Sequence, residues 1–224
     1  MGLCPSRAEV PLRINVAFAG LTAAGKTTHA RILAESLGYR YVSATELLLK
    51  ILNIDHNPDR VWFERSDEVA AARQGDWADQ ELETQLVRLA KTESGIVFDT
   101  WALAWIAEEP MVRIWIEFDL DSRARKCYVS QCDPVLSIEQ CKTLADAKDE
   151  STRQSFLRRH GYDLRQDRHK YDRVITNSHL IPKATHMAAA EGIRVFSPTL
   201  LKAVLGAGRQ KGHPIDPVRE NREK

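Results

Sequence analysis

The sequence predicts an α/β fold built on a mostly parallel sheet with helices on both faces. Three observations predict it. Short runs at residues 12–19, 95–99, 111–118 and within 171–176 read as strands, the first two of them apolar and buried, and segments of helical periodicity fill the intervals between them. Strands alternating with helices pair in parallel, because each helix carries the chain back across the sheet. The first run leads straight into Gly20-Leu21-Thr22-Ala23-Ala24-Gly25-Lys26-Thr27-Thr28, which fits the phosphate-binding pattern G-x-x-x-x-G-K-[ST]. Ligands of such sheets sit beyond the carboxyl ends of the strands. That puts the glycine loop and Asp99, which ends the 95–99 run, on one edge.

Residues 1–11 read as a loose leader. After the strand at 12–19 and its loop, Ala30, Leu33, Ala34 and Leu37 recur on one face of a helix over 27–37, and Gly38 stops it. Residues 39–42 form a second short strand. Ser43 and Glu46 make a capping box that opens a helix through residue 52. Residues 53–60 are polar, contain Pro58 and form a loop. Helices follow over 61–73 and 77–91, parted by Gly75; Leu82, Leu86, Leu89 and Ala90 share a face of the second. The strand at 95–99 ends in a carboxylate, and 111–118 alternates apolar and polar residues as another strand. Asp121 or Ser122 caps a helix to residue 131, which Pro134 breaks. Residues 138–160 predict a long charged helix with few core-type residues, hence a solvated, mobile element. The strand within 171–176 precedes a helix over 182–191, an edge strand over 193–196 and a short helix over 198–205. From residue 206 the chain is polar with two prolines and reads as a flexible tail.

Composition narrows the partners. With 224 residues and a 43% hydrophobic fraction, the chain can bury the core of one domain. Its 32 basic and 31 acidic residues nearly cancel, so neither nucleic acid nor membrane is expected as a partner. No run of about 18 apolar residues suggests a membrane span, and the first residues lack the apolar core of a signal peptide. Cys4, Cys127, Cys132 and Cys141 show no C-x-x-C spacing and read as reduced thiols rather than metal ligands. The expectation is a cytoplasmic monomer or homodimer acting on a small molecule.

The glycine loop carries the chemistry. Its glycines let successive N–H groups face inward, and the following helix adds its positive end. Gly20, Thr22, Ala23, Ala24, Gly25, Lys26, Thr27 and Thr28 are therefore the candidate ATP-binding residues. Lys26 would reach the β- and γ-phosphates, and the Thr27 hydroxyl would hold Mg²⁺ with help from Asp99.

Three stretches resemble the nucleoside monophosphate kinases, and within them the archaeal-type cytidylate kinase-like group. INVAFAGLTAAGKTTHARILAESLGYRYVSATELL (14–48) is similar to that group's strand, phosphate loop, helix and following turn. GIVFDTWALAW (95–105) sits where the group has a strand ending in an acidic residue, and DESTRQSFLRRHGYDLRQDRHKYDRVITNS (149–178) resembles its arginine-rich lid and last strand. The resemblance implies a P-loop NTPase fold of three α/β/α layers, with five parallel strands in the order 2-3-1-4-5. It implies a single kinase domain over 1–205, with an acceptor-binding region at about 43–92 and a lid at about 135–162. It also implies ATP with Mg²⁺, and maps transferring or lid arginines onto Arg123 and Arg153, with Arg158 and Arg159 adjacent. Fixed guanidinium groups suit the task, because charge spreads over the phosphoryl oxygens during transfer.

Two positions depart from the group. Leu49, followed by Lys50, stands where an arginine would hold the acceptor's phosphate, and Trp101 stands where a second would. Lys50, Arg60, Arg65 or Arg73 could substitute. Otherwise the acceptor is a hydroxyl compound, with Asp99 accepting its proton and Trp101 and Trp105 lining a ring pocket. The expected function is transfer of the γ-phosphate of ATP to a pyrimidine nucleoside monophosphate, modified or not, since the lid resemblance favours that acceptor. A hydroxyl acceptor is the alternative, and a nucleotide-binding regulatory protein without transfer is the second. The residues expected to carry catalysis are Lys26, Asp99, Arg123, Arg153 and Arg159.

Overall fold

The computed structural model describes residues 13–73, 75–131, 136–215 and 217. The expected leader, Cys4, Cys132, Pro134 and residues 216 and 218–224 of the expected tail lie outside the described residues. Five strands, β1 (Asn15–Gly20), β2 (Arg40–Ser43), β3 (Ile96–Asp99), β4 (Met111–Glu117) and β5 (Arg173–Thr176), form one sheet in the order β2-β3-β1-β4-β5. All four pairings are parallel. This is the fold class and strand order expected from the sequence.

Every residue of β1 is buried, which is why a central parallel strand reads as a continuous apolar run. Its side chains alternate between two cores. Val16 and Phe18 join Leu33 and Leu37 of α1 (Lys26–Leu37) and Phe196, Leu200 and Val204 of α9 (His186–Gln210) on one face. Ala17 and Ala19 join Phe98, Trp115 and Leu103, with Leu86 of α5 (Trp77–Thr92), on the other. Phe18 stands opposite Asp99 in the register, so the chain leaving β1 passes directly beside that carboxylate.

Between β2 and β3 lie α2 (Ala44–Ile51), α3 (Val61–Glu64), α4 (Ser66–Ala72) and α5. The Ser43 side chain accepts the Glu46 N–H at 3.2 Å, as expected for the α2 cap. The single helix expected over 61–73 is two, broken at Arg65, whose backbone (φ −140°, ψ 31°) is not helical. A short α6 (Leu103–Ile106) follows β3. After β4, α7 (Leu120–Val129) is capped by Asp119 rather than Asp121 or Ser122: the Asp119 carboxylate accepts the Ser122 N–H at 2.8 Å.

Two expectations about helices change. The charged segment forms α8 (Ile138–His160), but it is not a fully solvated element. Cys141, Ala145 and Asp149 are buried at four-residue spacing, with Phe156 further along. This stripe of small and polar residues escaped a search for large apolar ones. Cys141 packs with Ala124 and Cys127 of α7, and burial pushes both thiols up in pKa. At the C-terminal end, α9 runs unbroken from His186 to Gln210, replacing a helix, an edge strand and a helix. Gly192, Phe196, Leu200, Val204 and Ala207 bury one face, while Pro198 sits on the exposed side. The same stripe moves the start of the tail. Residues 206–210 are helical, and Ile215 is buried against the core.

Candidate active site

The site is built outward from the end of β1. Gly20 (φ 155°) approaches β4 so closely that a Cβ would lie 2.7 Å from the Ile116 carbonyl oxygen. Ala23 (φ 61°) and Gly25 (φ 91°) adopt left-handed conformations that curl the loop into a concave row of N–H groups. Gly25 also caps α1 without a side-chain bond, so the positive helix end faces the loop's interior.

Lys26 Nζ donates to the Gly20 and Leu21 carbonyls at 2.8 and 2.9 Å and lies 4.9 Å from the Trp101 ring centroid. Burial lowers its pKa to about 8, Arg123 pushing the same way and Asp99 and Asp149 opposing. Thr27 Oγ1 donates to Asp99 Oδ2 at 2.6 Å, and the Tyr41 hydroxyl donates to the same oxygen at 3.2 Å. Burial and the Asp99 charge raise the Tyr41 pKa, so its hydroxyl stays protonated.

Two cavities meet here. The larger, about 1210 Å³ with its open mouth, is lined by Thr22, Ala23, Gly25, Lys26, Thr27 and Thr28, with Asp99 behind. The smaller, about 600 Å³, lies between α2, α5 and α8. Leu48, Leu82, Leu86 and Phe156 line its apolar side; Arg73, Asp79, Glu83 and Arg159 line its polar side. Ala44, Thr45, Trp62, Trp101 and Lys148 belong to both.

The structure brings the loop residues and Asp99 together but distributes the arginines differently. Arg123 is buried beneath the loop, donating to the Thr22 carbonyl at 2.9 Å, to the Phe118 carbonyl and to Asp149, and lines neither cavity. Arg153, expected to meet the phosphates, is held by Glu150 and Asp163 and lines neither cavity. Arg158 pairs with Asp76 on the surface. Arg159 lines the smaller cavity, paired with Glu83. Leu49 is packed with Val61, Val69 and Ala78 rather than in a cavity. Of Lys50, Arg60, Arg65 and Arg73, only Arg73 reaches the smaller cavity, where it pairs with Asp79. Trp101 lines both cavities, whereas Trp105 is core, stacked on Tyr162 with centroids 4.1 Å apart.

Three residues were missed. Lys126 of α7 lies against the loop: a Cβ on Gly25 would be 2.6 Å from its Nζ. Burial and repulsion from Lys26 lower its pKa to about 8. Lys148 of α8 is pushed well below the usual lysine value by burial, then by Lys26 and Arg73. Asp149 is 1% exposed and accepts the Thr22 N–H at 2.8 Å while pairing with Arg123. All three sit in charge-rich helices, where only the four-residue stripe on α8 offered a signal. Thr27 and Asp99 supply hard oxygen donors that suit Mg²⁺. No group of three or more His, Cys, Asp or Glu placed to hold a metal ion occurs among the described residues, so such an ion would need phosphate and water oxygens as well.

Comparison with known proteins agrees with this frame. A model of the "Cytidylate kinase-like family" matches residues 15–179. A cytidylate kinase of Natronomonas pharaonis is 24% identical over 184 residues, covering 82% of this chain and 91% of the relative. Two solved structures share the fold: a gluconokinase from Sinorhizobium meliloti (TM-score 0.52, 13% identity, 90% of this chain and 95% of that one) and a shikimate kinase from Bacteroides thetaiotaomicron (TM-score 0.51, 10% identity, 84% and 98%). No helix among the described residues is long and apolar enough to cross a membrane.

Proposed function

The chain belongs to the cytidylate kinase-like family and is a P-loop kinase; from that premise we propose that it moves the γ-phosphoryl group of ATP to a pyrimidine nucleoside monophosphate, modified or unmodified. ATP's phosphates would occupy the larger cavity and the acceptor the smaller. The observation that carries this reading is the convergence of Lys26, Lys126 and Lys148 on the larger cavity. None of the three amines is hydrogen-bonded to a carboxylate among the described residues, and Lys26 lowers the pKa of the other two. Like charges gathered in a buried place are costly without an anion to meet them. A polyphosphate supplies that anion.

Thr27 and Asp99 are the residues that would hold Mg²⁺, which when bound neutralises charge on the phosphate oxygens. Arg123 and Asp149 hold the Thr22 carbonyl and N–H, and so position the loop instead of meeting the phosphoryl group. In the smaller cavity, Arg159 with Asp79 and Glu83 offers both donors and acceptors to a base edge, and the apolar side fits a ring. A relative named cytidylate kinase supports the pyrimidine acceptor.

One observation favours a hydroxyl acceptor instead. Arg73 and Arg159 are each paired with a carboxylate inside the cavity, which reduces their charge toward a second phosphate. Asp99 would then take the proton of the hydroxyl.

The test is ADP release with Mg-ATP and a panel of nucleoside monophosphates, nucleosides and small alcohols. Turnover with cytidine or uridine monophosphate, but not with the nucleosides, supports the first reading. Turnover only with hydroxyl compounds replaces it by the second, and ATP binding without turnover leaves a regulatory protein. Lys26→Ala is expected to abolish transfer with an unchanged circular dichroism spectrum; near-normal turnover refutes the loop assignment.

A further inference from the structure

Phosphoryl transfer has to take place where the two cavities join. The five residues common to both are Ala44, Thr45, Trp62, Trp101 and Lys148, and only Lys148 carries a charge. Its amine lies 3.4 Å from the Trp62 ring centroid and 5.9 Å from that of Trp101, and donates no hydrogen bond to a described residue. The adjacent carboxylate, Asp149, is turned to Thr22 and Arg123. Lys148 comes from α8 and Trp62 from α3, so their contact spans the cleft between lid and acceptor region.

We propose that Lys148 is the lid cation that contacts the phosphoryl group in transit, with the face of Trp62 as its seat between the cavities. The inference rests on the kinase reading above but holds for either acceptor. An acceptor oxygen bonds to the γ-phosphorus as the bond to the β–γ bridging oxygen breaks, and that electron pair leaves with ADP. A phosphate-oxygen acceptor has no proton to lose; a hydroxyl gives its proton to Asp99. Lys148 accepts no proton from the acceptor and forms no covalent bond; it acts in its charged form, which the phosphate favours. It stabilises charge that is greatest on the phosphoryl oxygens midway between the cavities. An aromatic face suits a waiting amine, because it attracts a cation without the tight hold of a carboxylate. The buried amine's depressed pKa, caused by burial and by Lys26 and Arg73, is consistent with a group awaiting an anion.

Two measurements test this. With Mg-ATP and cytidine monophosphate or cytidine, Lys148→Met is expected to lower kcat about 10²- to 10³-fold, with the KM for ATP changed less than about threefold. Lys148→Arg should recover much of the loss. A kcat for Lys148→Met within about threefold of wild type, or a loss confined to KM, overturns the proposal. If wild type itself turns over neither acceptor, that acceptor assignment fails, and the second measurement decides on Lys148. Tryptophan emission is compared between wild type and Trp62→Phe on adding ADP or a non-hydrolysable ATP analogue, each with Mg²⁺. The Trp62 contribution should change with the analogue but not with ADP, and the change should vanish in Lys148→Met. Equal responses to both nucleotides, or a response that survives Lys148→Met, overturn it. The substitution removes a buried amine with no carboxylate partner, so the fold should persist; the arginine variant covers the contrary case.

Discussion

Thr27 donates its hydroxyl proton to the Asp99 carboxylate at 2.6 Å, joining the first turn of α1 to the end of β3. The bond exists because Phe18 and Asp99 are register partners in the sheet. Seventy-two residues of sequence separate the two groups, and the sheet alone brings them together.

Asp99→Asn keeps the size of this side chain but removes its charge. Turnover is expected to fall by about 10²-fold or more, with a higher Mg²⁺ concentration needed for half-maximal rate. Thermal unfolding should change little, because the amide oxygen can still accept from Thr27. A magnesium dependence equal to wild type would remove Asp99 from the metal site.

Arg123 and Asp149 form a buried ion pair, with side chains 4% and 1% exposed. Breaking such a pair strands the other charge, so Asp149→Ala and Arg123→Ala are each expected to destabilise by about 3–5 kcal/mol. The double variant should cost much less than the sum of the two, which denaturant unfolding of all four proteins measures. Strict additivity would mean that the two groups do not act as a pair.

Lys26 and Lys126 both titrate at about 8 in the folded chain, against 10.5 ordinarily. Above pH 8 both therefore stand increasingly neutral. A polyanion favours the charged form and raises both values, so ATP binding should take up protons between about pH 8 and 10. Calorimetry in buffers of different ionisation heat should show these two amines taking up about one proton near pH 8, an uptake that shrinks below pH 7. No uptake in that window would show that the amines do not face the nucleotide.

His29 is buried beneath the loop, edge-on to Phe196 at 4.7 Å, with Nδ1 unpartnered. Burial, with Lys126 nearby, lowers its pKa to about 3 from 6.5. Between those values the unfolded chain binds a proton that the folded chain refuses. Stability from this group is thus complete above pH 6.5 and lost as the pH falls toward 3, by up to about 1.4 kcal/mol per unit. His29→Leu should flatten the stability profile over that window and move acid unfolding to lower pH. An unchanged slope would place the titrating group elsewhere.

Local pattern was enough for much of the molecule. The sequence by itself determined the phosphate loop, its flanking strand and helix, the Ser43 cap and the carboxylate at Asp99. Glycine conformation, capping and periodicity act over a few residues and leave their mark in the same few residues. The resemblance supplied the strand order. Only the tertiary structure decided which charges face the site. Along α8, Arg153 lies five residues from Lys148, hence about 140° around the helix, whereas Arg159, eleven residues away, returns to within about 20°. Arg153 accordingly pairs with Glu150 and Asp163 on the far side, while Lys148 and Arg159 line the cavities. Which side of α8 faces the site was set by Cys141 packing against α7 and Asp149 bonding the loop. Those contacts join residues remote in the chain, and the charged residues themselves carry no local sign of them.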